Sequence, residues 1–219
     1  MNMLAPPRTK ISIEVILDLV CPWCYLGTKR LLRSLRARPE LLVELHWRPF
    51  LLNPDIPRAG IPRGDHLSRK FGGSERAERL HGTIAVLGRA EGIEFHFDRI
   101  IHAPSSVNGH RLVALAVLHG LGLQMVEALF AAHFCEGLDI GDIDFLVRIA
   151  TSVGLKPAMV RALLAGDEGS DLVHGENMSA HRIGVNGVPC FILGQRHAIA
   201  GAQEIEVFDR MIDVALADD

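Results

Sequence analysis

Ile11, Ile13, Val15 and Leu17 alternate with more polar neighbours, and the chain then turns apolar towards Val20. A period of two is the mark of a half-buried strand. The spacing changes at Pro22. Leu26, Leu32 and Leu35 are apolar while Lys29, Arg30, Arg33 and Arg36 are basic, which predicts a helix that stops before Pro39. Pro22 suits the first turn, where a missing backbone N–H costs nothing. The basic residues lie towards the far end, where they oppose the macrodipole. Residues 41–47 predict a second strand, and Pro49, Pro54, Pro57 and Pro62 mark irregular chain after it.

From about Gly64 to Gly184 the pattern is helical. Residues 74–91 form a polar helical segment. Ser106 can cap a helix running through Leu112, Leu115 and Leu118 to Gly120. Residues 124–136 predict another, with Cys135 inside it as a core residue and Gly137 after it. Asp142 can cap a helix over 143–153, with Gly154 as its stop. Pro157 opens a short helix ending near Gly166, and Ser170 opens one ending at Gly184. The last section changes again. Residues 188–193 are a short apolar strand, Gly194-Gln195 a turn, and residues 197–200 a second strand. Ile205, Phe208, Ile212 and Leu216 then space a final amphipathic helix. The order predicts an α/β fold: two halves of a small sheet separated by an all-helical insertion.

Composition narrows the function classes. The chain has 219 residues, 48% hydrophobic and 22% charged, which is globular. A net charge of -3 offers no electrostatic case for nucleic acid or an anionic membrane. No apolar run nears the roughly 20 residues of a membrane span. The N-terminus, from Met1 to Lys10, lacks a basic start followed by an apolar stretch, so no secretory signal is expected and the cytoplasm is the expected location.

Four cysteines do not make a disulfide framework in this length. Cys21 and Cys24 are a close pair, whereas Cys135 and Cys190 stand alone. A strand ends, the chain turns, and a helix begins at the first cysteine of Cys21-Pro22-Trp23-Cys24. Free N–H groups and the positive helix end favour a thiolate there, below the free thiol value of about 8.5. Such a thiolate attacks a disulfide, and a thiol one turn later resolves the mixed disulfide. Cys21 is thus the candidate nucleophile and Cys24 the candidate resolving thiol. Half of a zinc site is the competing reading, but structural zinc wants four ligands and no second pair exists, so no metal is expected. Asp18 is open between a buried acid serving Cys24 and an ordinary strand end. Arg63-Gly64-Asp65 is read as a chance tripeptide. Asn186-Gly187 between two valines is by itself a hairpin signal, which Pro189 weakens.

The run Asp18-Leu-Val-Cys-Pro-Trp-Cys-Tyr-Leu-Gly27 resembles the DsbA-family oxidoreductases of the thioredoxin superfamily, in particular a cytoplasmic FrnE-like subgroup. The resemblance continues through Trp47-Arg-Pro-Phe-Leu-Leu-Asn-Pro54 and His133-Phe-Cys-Glu-Gly-Leu-Asp-Ile140. It ends in Gly184-Val-Asn-Gly-Val-Pro-Cys-Phe-Ile192 and Ile199-Ala-Gly-Ala-Gln203. It implies a thioredoxin-like domain from residues 1–62 and 185–219, interrupted by a helical insertion domain at 63–184. It also implies a cis bond before Pro189, facing the cysteines, with the Val188 backbone free to pair with an extended substrate. Pro22, Trp23, Val188 and Pro189 are then the candidate substrate-binding residues.

The expected activity is that of a thiol–disulfide oxidoreductase or isomerase. Its partners are protein or small-molecule thiols and disulfides. No metal or organic cofactor is expected, with glutathione as a conceivable co-substrate. Cys190 departs from the family pattern, which often has Thr there; it is read as a passive buried thiol, with a share in thiol exchange as the alternative. Trp23 cannot supply the charge of a histidine in that place, so a thiolate less extreme than in the strongly oxidising DsbA proteins is expected. Two other functions stay open. One is a glutathione-dependent isomerase or transferase of the 2-hydroxychromene-2-carboxylate isomerase or kappa type. The other is a non-enzymatic, chaperone-like binding protein.

Overall fold

The computed structural model describes residues 9–218; residues 1–8, most of the segment inspected for a secretory signal, and residue 219 lie outside them. β1 (Lys10–Leu17), α1 (Pro22–Arg36) and β2 (Leu42–Pro49) form a parallel β–α–β unit. Next come β3 (Ile61–Pro62), α2 (Arg63–Phe71), α3 (Ser74–Ala90), a single 3-10 turn at Phe97–Arg99, and β4 (His102–Ala103). Five helices follow: α4 (Val107–Leu118), α5 (Gly122–Phe134), α6 (Ile143–Val153), α7 (Pro157–Ala165) and α8 (Ser170–Arg182). The chain closes with β5 (Cys190–Leu193), β6 (His197–Ala200) and α9 (Ile205–Ala217).

The central sheet has the order β2-β1-β5-β6. β1 pairs parallel with β2, placing Val15 beside Trp47, and antiparallel with β5, placing Val15 beside Phe191 and Ile16 beside Cys190. Side chains alternate across a strand. Ile13, Val15 and Leu17 therefore enter one core, with Leu26 and Leu31 of α1 and Phe208 and Ile212 of α9. Phe191 and Phe208 meet edge to face at 4.9 Å; each fully buried ring contributes on the order of 2–3 kcal/mol of transfer free energy. Ile16 and Cys190 face the other way, against Phe50 and Ala180. This is a thioredoxin-like fold carrying a helical insertion.

The four strands of the central sheet and most helices fall where the residue pattern predicts them. The departures have local causes. The stretch from Pro49 to Pro62 is not wholly irregular, because Ile61 and Pro62 pair antiparallel with Ala103 and His102. α2 follows at once and stops at Gly72, whose φ of 75° suits glycine. Asp142 caps α6 by accepting from the Phe145 N–H at 2.9 Å, but Ser106 sits at the N-cap of α4 without a side-chain cap bond. Cys135 is not inside a helix core: it is the C-cap of α5 and only half-buried. Asn186-Gly187 turns no hairpin, since β5 finds its partners in β1 and β6. β5 starts at Cys190 rather than Val188, as Pro189 has no N–H for a ladder.

Candidate active site

Cys21 is the N-cap of α1, in extended conformation at φ -102° and ψ 111°. Its carbonyl accepts from the N–H of Cys24 at 3.0 Å and of Tyr25 at 3.3 Å, so the first helical turn hangs from it. Pro22 occupies the first helical position, as its lost N–H and fixed φ favour. Among the described residues all four cysteines are free thiols. Cys24 is fully buried, and burial first, then neighbouring Cys21, push its thiol well above the ordinary value. The Asp18 N–H, 3.5 Å from Cys24 Sγ, opposes that shift.

The peptide bond between Val188 and Pro189 is cis. The Val188 carbonyl accepts a long contact of 3.7 Å from Cys21 Sγ. Among the described residues the Val188 N–H has no hydrogen-bond partner. The Pro189 carbonyl is held by the Gly201 N–H at 2.8 Å. Gly27, on the next turn of α1, lets the helix lie against this loop. A Cβ there would stand 2.9 Å from Pro189 Cγ, 3.1 Å from Phe191 and 3.3 Å from the Ala202 backbone. Gly27→Ala is therefore expected to destabilise by about 1–3 kcal/mol despite alanine's better helix propensity. A thermal unfolding midpoint at or above that of the parent would refute this.

Cys21, Pro22, Trp23 and Val188 line one cavity of about 310 Å³. Its far wall comes from α2 and α3, through Arg63, His66, Lys70 and His81. Lys70 donates to Asn53 Oδ1 at 2.9 Å. Desolvation pulls the Lys70 ammonium down, while Asp18 and Cys21 pull it back up, so its charge is coupled to both of them. Burial and the neighbouring Arg63 lower His81 to about 4, and burial lowers His133, also in the lining, to about 4. Both rings are thus neutral near pH 7, and the cavity's positive charge comes from Arg63 and Lys70.

Pro189 is buried behind this cavity against Gly27, and Cys190 lies across the sheet. Burial pushes the Cys190 thiol up, which suits a passive buried thiol. Asp18 is fully buried; its Oδ2 accepts from the Leu52 N–H at 2.7 Å and its Oδ1 from the Val20 N–H at 3.3 Å. The sequence reading missed the basic wall. Its signal was the spacing of Arg63, His66 and Lys70 on one face of a helix, hidden by the tripeptide and by the prolines before it. Among the described residues no cluster of three or more His, Cys, Asp or Glu is arranged to hold a metal ion, and no helix is long and apolar enough to cross a membrane.

The family profile described as "DSBA-like thioredoxin domain" matches residues 12–213. The chain belongs to that family. A crystal structure of a probable DsbA oxidoreductase from Streptomyces coelicolor is 30% identical, with 95% of this chain and 91% of that one covered and a TM-score of 0.87. The cytosolic disulfide reductase DsbM from Pseudomonas aeruginosa, solved with GSH, is 22% identical over 94% of this chain and 96% of that one, with a TM-score of 0.62. A 2-hydroxychromene-2-carboxylate isomerase is 16% identical over 94% and 95%, with a TM-score of 0.67. The last two share the fold with this DsbA-like chain.

Proposed function

We propose that this DsbA-like protein is a dithiol–disulfide oxidoreductase or isomerase, with Cys21 as nucleophile and Cys24 as resolving thiol. The observation that carries it is one arrangement: two thiols on the first turn of α1, the outer one against the Val188 carbonyl, the inner one sealed. Cys21 attacks a substrate disulfide to form a mixed disulfide, and Cys24 attacks Cys21 to release the substrate thiol. The Val188 N–H can donate to a carbonyl of an extended substrate lying as an added strand, and Trp23 and Pro22 bound its path. The motifs from Asp18 to Gly27 and from Gly184 to Ile192 support the FrnE-like subgroup. We place the chemistry in the reducing cytoplasm, without metal or organic cofactor.

Glutathione is the small thiol that the cavity favours. Arg63 and Lys70 can face its carboxylates while its sulfur meets Cys21. The same feature supports the second reading, a glutathione-dependent isomerase. Turnover of a disulfide-bonded peptide separates them. The parent protein is expected to turn over, and Cys24→Ser is expected to stall as a mixed disulfide on Cys21. Glutathione binding with activity indifferent to Cys24→Ser would overturn the redox reading. Peptide binding that survives loss of both cysteines, with no turnover by the parent, would mark a binding protein.

Trp23 predicts a modest oxidant. In Trp23→His an imidazolium beside the helix N-terminus stabilises the thiolate, hence the reduced form. The reduction potential is expected to rise by about 30 mV or more, a tenfold change in the equilibrium. Equilibration with glutathione buffers reads it, and an unchanged or lower potential counts against the argument.

A further inference from the structure

The buried carboxylate of Asp18 has a neighbour that the redox cycle described so far does not use. His110, on α4, brings Nε2 to 3.7 Å from Asp18 Oδ1, and their side chains are 3% and 1% exposed. That nitrogen has no hydrogen-bond partner; among the described residues only the Thr28 hydroxyl shares this condition. An unpartnered buried imidazole nitrogen is costly to keep.

His110 also lines a second cavity, of about 340 Å³, between β2, α4 and α8. Among the described residues none lines both cavities. The arginines there are already engaged. Arg48 pairs with Glu14 and Glu176, and Arg111 donates to Asn108 and to the carbonyls of Leu163, Gly166 and Glu168. His110 thus spans from the buried acid beneath the cysteine pair to a separate space on the other side of β1's end.

We propose that His110 is a positioning residue for the resolving step, conducting through Asp18 the proton that Cys24 gives up and passing it to the second cavity. The idea rests on Cys21 and Cys24 being the redox pair. In the step, the Cys24 S–H bond breaks and the Cys24–Cys21 S–S bond forms. The bond from Cys21 to the substrate sulfur breaks, and its electron pair leaves on that sulfur. The proton goes to the Asp18 carboxylate and on to His110 Nε2, and the imidazolium so formed gives up its Nδ1 proton to the second cavity. The need for such a route is physical. Cys24 is sealed from water, its thiol is held protonated by burial, and the Asp18 charge adds to that hold. Other groups acting on the pair are Cys21 from α1, Lys70 from α2 and His133 from α5. On the second cavity's side they are Arg111, Arg48, Glu168 and Glu176.

The test uses the reduced full chain and an aromatic disulfide whose thiolate product is coloured. Attack by Cys21 releases one equivalent, and attack by Cys24 on the mixed disulfide releases a second. In His110→Gln the second release is expected to slow about tenfold at pH 7. The gap closes as pH rises and hydroxide, admitted by transient opening of the sealed site, takes the proton instead. His110→Asn supplies a second polar replacement should His110→Gln fold poorly. Asp18→Asn is expected to slow the same phase, and the double variant no further. Parent-like second release in the His110 variants at every pH, or a slowing equal at every pH, overturns the proposal. Absence of a second release from the parent would instead overturn the redox pair itself.

Discussion

Cys21→Ser is expected to abolish disulfide exchange, lowering turnover at least about 10³-fold. No other thiol can take its place. Cys24 has no exposed surface. Cys190 packs with Ile16, Phe50 and Ala180 across the sheet, and Cys135 caps the far end of α5. A serine hydroxyl fills the same space and can still donate to the Val188 carbonyl, so stability should change little. The useful measurement is paired: turnover of a disulfide-bonded peptide beside the urea unfolding midpoint. Substantial residual turnover in a folded variant would remove Cys21 from the chemistry.

Arg30→Ala is expected to be the most damaging substitution for stability, by about 3–5 kcal/mol. The Arg30 side chain is 4% exposed and that of Glu91 7%, so their ion pair at 3.3 Å is desolvated on both sides. The same guanidinium donates to the carbonyls of Ala202 at 2.9 Å and Gln203 at 3.2 Å. Its bond to Glu204 at 2.8 Å reaches a 65% exposed carboxylate and counts for less. Alanine would leave Glu91 buried with only the exposed Arg33 as partner, and two carbonyls unpaired. The damage should extend to the site. The segment that Arg30 holds begins just after Gly201, whose N–H fixes the Pro189 carbonyl. Urea unfolding should show a midpoint lower by about 1 M or more. Replacing both Arg30 and Glu91 by apolar residues should recover much of the loss; an equally unstable double variant would contradict the desolvation argument.

Arg30 also shows where reading the chain alone stops. Its place among Lys29, Arg33 and Arg36 is that of a solvated basic stripe. Its burial depends on Glu91 and on residues 202–204, which arrive from far along the chain. Asp18 is a like case. Its position before the cysteines was legible, but its bond from Leu52 required the chain after β2 to turn back, and its approach to His110 required the insertion to fold against it. That the basic wall faces the cysteines was unreadable for the same reason. α2 carries it, and α2 is a short helix that packs beside the short pair of β3 and β4.

By itself the sequence determined what is local. The period-two run of β1, the helix opened by Pro22 and the Asp142 and Gly154 caps of α6 are set by side-chain periodicity and unpaired N–H groups within a few residues. These are enough for the element order and for two thiols one turn apart at the start of α1. Only the tertiary structure decided what surrounds those thiols. The seal over Cys24, the Val188 carbonyl at Cys21, the charge of Arg63 and Lys70, and the removal of Cys190 to the other face all come from segments distant in the chain. Burial and electrostatic contact are properties of such meetings, and they convert a pair of cysteines into a site with distinct outer and inner thiols.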